Sequence, residues 1–96
     1  MNIEFTARHF HAPDNLKDYA INELNRIPKF YDRAIQCQII LYNENNLYTT
    51  ELNLSLPHRK FNVKESTDNV TKSIDQAVST MITRVKKFKD KQNNNH

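Results

Sequence analysis

Residues 2–8, NIEFTAR, alternate along the chain. Ile3, Phe5 and Ala7 fall on one side; Asn2, Glu4, Thr6 and Arg8 fall on the other. A period of two predicts a half-buried strand. After a connector over 9–13, Pro13 and Asp14 predict a helix start. Leu16, Ala20, Leu24 and Ile27 then recur at steps of three and four, the stripe of a helix that Pro28 ends. Period two returns in 33–42, RAIQCQIILY, with Ile35, Cys37, Ile39 and Leu41 on one face. The cluster NENN at 43–46 predicts a turn. The chain has no glycine, so asparagine is expected wherever φ must be positive. Leu52, Leu54 and Leu56 mark a strand over 47–56, Pro57 and His58 the next turn, and Phe61 and Val63 a further strand. Ser66, Thr67 or Asp68 is expected to cap a last helix over 68–91. Its apolar positions, Val70, Ile74, Ala77, Val78, Met81, Val85 and Phe88, recur at three and four.

The order β-α-β-β-β-α predicts an α+β fold, a four-stranded sheet with two helices packed on one face. Ninety-six residues suit one domain, expected over 1–92 with a short polar tail at 93–96. A chain of this size buries roughly 60–65% of its unfolded surface, which limits it to one modest core. No apolar run approaches the roughly 20 residues of a membrane helix. The N-terminus lacks the charged-then-apolar pattern of a signal peptide. Cys37 is the sole cysteine, excludes an internal disulfide, and reads as a small buried apolar residue. The expectation is a soluble cytoplasmic monomer that does not engage membranes.

Charge is distributed unevenly. Residues 1–45 hold five Lys/Arg against six Asp/Glu, and residues 46–96 hold nine against five. The excess gathers toward the C-terminal end, where RVKKFKDK sets five cations around Asp90. A basic chain with charge collected at one end points to a polyanionic partner. On the last helix Arg84, Lys87 and Lys91 fall within about 60° of one another, with Thr80 and Ser73 continuing the same flank upstream. No helix carboxylate shares it; Asp75 and Asp90 lie elsewhere on the wheel. A helix of this length, on the order of 36 Å, exceeds an eight-residue strand of roughly 27 Å. Its last turns are therefore expected to overhang the sheet. Arg26 and Tyr19 on the first helix are candidates for a further RNA contact, Tyr19 by stacking on a base, with Glu23 beside them; a Tyr at the edge of an apolar stripe is more often part of the core rim. Arg59 and Lys60 at the hairpin tip are candidates for another phosphate contact.

Other chemistry finds little support. His9 and His11 lack further ligands at metal-site spacing. No nucleophile–base constellation is discernible, and a Gly-rich phosphate loop is excluded by composition. The expectation is a protein that is not an enzyme and takes no cofactor, metal or small-molecule substrate.

With this element order, "FYDRA" after the first helix and "DNVTKSIDQAV…RVKKFKDK" in the last resemble the ribosome hibernation promoting factor family. That family is also called ribosome-associated inhibitor, ribosomal subunit interface protein or sigma modulation protein. The resemblance spans roughly residues 2–91, and "LKDYAINELNRIPKFYDR" matches its first helix and exit. It implies a double-stranded-RNA-binding-domain-like fold with an added first strand. It implies binding to the small ribosomal subunit and its ribosomal RNA at the decoding channel. There such a protein blocks messenger RNA and transfer RNA and inhibits translation in stress or stationary phase. Lys87, Lys89 and Lys91 match cationic family positions on the last helix, and Lys17 and Arg26 match basic positions on the first. Thr80, Thr83 and Glu23 stand where the family commonly carries cations. The short C-terminal end resembles the short form of the family.

The RNA-binding set expected on these grounds is Arg84, Lys87 and Lys91, with Lys89, Lys86, Lys17, Arg26, Arg59 and Lys60 secondary. Two other readings compete: a general double-stranded-RNA-binding module, and a protein-interaction domain using Tyr42, Leu47 and Tyr48. The start of the last helix carries Asp68 and no cation before Lys72, which disfavours the first.

Overall fold

The computed structural model describes residues 1–94. Strand β1 (Asn2–Arg8) leads to helix α1 (Asp14–Leu24) and a 3-10 turn (Ile27–Lys29). Strands β2 (Gln36–Glu44), β3 (Leu47–Leu56) and β4 (Arg59–Thr67) follow, then helix α2 (Val70–Asn94). The sheet order is β1-β2-β3-β4. β1 pairs parallel with β2, because α1 carries the chain across between them, and the other pairs are antiparallel hairpins.

The register explains the core. Cys37 sits between Ile3 and Leu54, and Ile39 between Phe5 and Leu52; Leu52 in turn opposes Val63. These residues share one face, and they cluster with Ala20 and Leu24 of α1 and Ile74, Ala77, Val78, Met81, Ile82 and Val85 of α2. Both helices therefore cover the same side. The other face is polar: Gln38, Asn53 and Asn62 lie in one row across three strands and hydrogen-bond in series, with Asn62 also bonding Glu51. Burial pushes the Cys37 thiol up to about 12, in keeping with its expected apolar role.

The structure corrects several expected boundaries. α1 stops at Leu24 rather than at Pro28: Asn25 N makes the last α-type bond, to Ile21 O, and Arg26 N already takes the closer Glu23 O. The chain tightens into the 3-10 turn instead, with Phe30 N bonding Ile27 O. Ile35 does not join the core face: it precedes β2, is 55% exposed, and serves through its backbone, which bonds Asn2 and Ser55. The cap of α2 is Asn69, whose side chain accepts the Lys72 N–H, while Thr67 holds Asn69 in place. α2 runs through Asn93 and Asn94 of the expected polar tail; residues 95–96 lie outside the described residues. Asn45 and Asn46 take positive φ as expected, but His9 and His58 do so too. Histidine is among the residues that tolerate this region.

One buried polar contact fixes how α2 lies on the sheet. Thr50 points into the core from β3 and meets Ser73 of α2, 2.8 Å between hydroxyls, both fully buried. Ser73 donates its one proton to Val70 O at 2.7 Å, so Thr50 is the donor in the pair. Ser73→Ala therefore strands a buried donor and is expected to cost about 2 kcal/mol. Thr50→Val leaves Ser73 its carbonyl and should cost under about 1 kcal/mol. Urea unfolding of both single variants and the double should show the double variant less damaged than the two losses combined.

Candidate nucleic-acid interface

α2 has 25 residues, about 37 Å of helix. Its last fully buried side chain is Val85; Phe88 is half-buried, and 89–92 are exposed. The end of the helix thus projects beyond the sheet. Phe88 ties it back. Its ring lies 6.0 Å from Tyr31 and 5.7 Å, edge to face, from Phe61 of β4.

Around these rings stand four cations. Arg59, Arg84, Lys87 and Lys91 line one open groove whose apolar floor is Phe61 and Phe88. Arg59 stacks its guanidinium on both rings, at 4.9 and 5.2 Å from their centroids, a contact worth about 0.5–1 kcal/mol at an exposed site. Arg84 gives one Nη1 bond to Asn62 O, 2.7 Å away, and keeps its other donors for a ligand. Among the described residues Arg26 and Glu23 form an ion pair, at 2.8 Å, and no member of this group does. The result is a pre-positioned, uncompensated positive cluster suited to oxyanions.

The expected RNA-binding residues do not all gather here. Arg84, Lys87 and Lys91 do, and Arg59 joins them because it shares strand parity with Phe61. Lys60 has the opposite parity and lines the polar outer face with Gln38, Asn53 and Asn62, so the hairpin tip is not one patch. Lys86 and Lys89 lie on the far side of α2 with Lys29 and Phe30. Lys17 sits 5.9 Å from the Phe5 ring. Arg26 is taken up by Glu23.

Two upstream expectations, Ser73 and Thr80 as open continuations of the cationic flank, are corrected, while Tyr19 takes the core-rim place rather than the stacking one. Tyr19 is not free to stack: its hydroxyl donates to Asp75 of α2 and locks the helices together. Ser73 is buried. Thr80 faces Glu65 of β4 at 3.3 Å, and Glu65 and Asp75 line one surface with Ser79 and Thr80. The acid-free flank of the helix is therefore acid-lined by its neighbour above Arg84. Strand parity signals Glu65, on the helix face of β4. Thr83 returns its hydroxyl to Ser79 O.

Fold and site together define a class: a β-α-β-β-β-α domain with a cationic, aromatic-floored cluster at its overhanging last helix. Residues 3–93 match the family described as sigma 54 modulation protein / S30EA ribosomal protein, and the chain belongs to that family. A ribosome hibernation promoting factor from Pseudomonas putida is 23% identical over 92 residues, covering 96% of this chain and 90% of that protein. The ribosomal subunit interface protein of Coxiella burnetii superposes with a TM-score of 0.88 at 22% identity, over 94% of this chain and 99% of that one. The N-terminal domain of Thermus thermophilus Protein Y gives a TM-score of 0.84 at 27% identity, over 92% and 99%.

Phe88→Ala is expected to cost about 2 kcal/mol in thermal unfolding, since half of a packed ring is lost, and to loosen Arg59 without removing charge. Tyr19 gives a pH signature. Its bond to Asp75, then burial, push the phenol up to about 12 from 10. A proton held more tightly by the folded chain stabilises it fully below pH about 10, and this contribution is lost as pH rises toward 12. The stability gap between wild type and Tyr19→Phe should narrow across that window. Cys37 titrates there in both proteins, so the difference isolates Tyr19.

Proposed function

We propose that the chain is a ribosome hibernation factor that grips ribosomal RNA of the small subunit through the end of α2. The observation that carries this is the cluster Arg59, Arg84, Lys87 and Lys91, uncompensated and held on Phe61 and Phe88. Family membership and the relatives' names support the ribosome as the partner. Phosphate contacts of this kind position a protein on RNA, and the shape of the binding channel supplies specificity. In this reading the domain occupies the decoding channel as a monomer, excludes messenger RNA and transfer RNA, and silences translation under stress. It acts by occupancy rather than catalysis. Lys86 and Lys89 add to the grip, and Lys17, Arg26 and Lys60 are secondary.

Cosedimentation with purified small ribosomal subunits tests the reading. With about three to five phosphates neutralised, log K should fall against log salt with a slope of roughly −2 to −4. Arg84→Glu/Lys87→Glu removes two charge-assisted contacts and should weaken binding about 100-fold or more at low salt. Free RNA duplex should compete poorly. Competition equal to that of small subunits would instead make the chain a general duplex-RNA binder. Binding that ignores both salt and the double substitution would indicate a protein-interaction domain.

A further inference from the structure

The far side of α2 carries a second group of cations. Lys29, Lys86 and Lys89 line an open groove with Phe30 and Asp90. Lys86 lies 4.8 Å over the Phe30 ring, and Lys89 donates to Phe30 O at 3.5 Å. All three lysines are exposed, and Asp90 forms no ion pair with them. Lys29 reaches this site because the 3-10 turn brings residues 29 and 30 against α2.

On a wheel of about 100° per residue, Lys86 and Lys89 centre roughly 160° from Arg84, Lys87 and Lys91. The two groups thus stand on opposite sides of the same helix end. Between them runs the body of the helix, about 10–12 Å thick with its side chains. A single backbone strand resting on one group lies that far from the other.

We propose that Lys29, Lys86 and Lys89 form a second phosphate-binding site, and that the end of α2 inserts between two separate stretches of RNA backbone. The Arg59 groove takes one stretch and the Lys29 groove takes the other. The inference rests on the ribosomal-RNA reading above and specifies its geometry. Helix-terminus electrostatics do not account for the site, because that effect fades within the last turn, and Lys29 and Lys86 lie outside it.

Two measurements on the whole chain with purified small subunits test this. In the first, Lys29→Gln/Lys86→Gln/Lys89→Gln is compared with Arg59→Gln/Arg84→Gln/Lys87→Gln across salt concentrations. Each triple variant should make the salt slope shallower by about 1–2, and the combined variant should lose most of the slope. A Lys29/Lys86/Lys89 variant with wild-type affinity and slope overturns the second site while leaving the first grip intact. Failure of the wild type to bind sinks the ribosomal reading and this inference with it. In the second measurement, a hydroxyl-radical source is tethered at Asp90→Cys or at Lys91→Cys; Cys37 is fully buried and stays unlabelled. Cleavage in two RNA segments, one from each position, is expected. Cleavage of one shared segment from both positions refutes insertion between two.

Discussion

The ring of Phe88 touches Tyr31 on one side and Phe61 on the other. Tyr31 belongs to the buried core; Phe61 supports the exposed guanidinium of Arg59. The core is thereby continued outward, ring by ring, to the surface where the charges stand. Without this continuation α2 would leave the sheet after Val85 as a frayed, solvated rod. Its cations would then have to be ordered by the ligand at the cost of side-chain entropy, up to about 2 kcal/mol for each long side chain. Stacking on fixed rings removes part of that cost before any partner arrives. At the other end of the helix the Thr50–Ser73 pair sets the register, so the position of the cationic cluster is fixed from both ends.

Helix-terminus electrostatics offer a rival account of the charge, because cations near a C-terminus gain about 0.3–1 kcal/mol each. That effect fades within the last turn. α2 ends at Asn94, so it covers Lys91 and reaches neither Lys87 nor Arg84. Arg59 is not on the helix at all. Gathering these cations without carboxylates works against folding stability through mutual repulsion, and the fold compensates only with weak cation–ring contacts. A ligand that supplies negative charge is the simpler reason for the arrangement.

Much of this was legible in the chain. Period-two and period-three-to-four patterns gave all six main elements, and the flank of Arg84, Lys87 and Lys91 survived intact because helix angle depends only on spacing. What stayed hidden were relations between elements. Arg59 and Lys60 are neighbours in sequence, yet strand parity sends them to opposite faces. Lys29 reaches α2 only because the chain tightens into the 3-10 turn after α1. Tyr19 reads as a rim aromatic, and its partner Asp75, 56 residues away, is what spacing does not reveal. Ile35 keeps the alternation of β2 while lying before the strand, where the core does not reach it.

The acid that spacing along the helix could not place, Glu65 of β4, limits the reach of the proposed interface. Glu65 stands against Thr80, and Asp75 lines the same surface one turn earlier along α2. An RNA backbone following the Arg84 flank up the full helix would set phosphates against Glu65, and like charges at close contact disfavour that approach. The usable surface begins at Arg84 and ends at Lys91, about 12 Å of helix. A strip that short, with cations on two sides and a projecting end, fits a helix tip entering a gap better than a helix lying along a groove. In the proposed reading the same charge disfavours side-on docking of an ordinary duplex, so the feature that narrows the interface also narrows the choice of RNA.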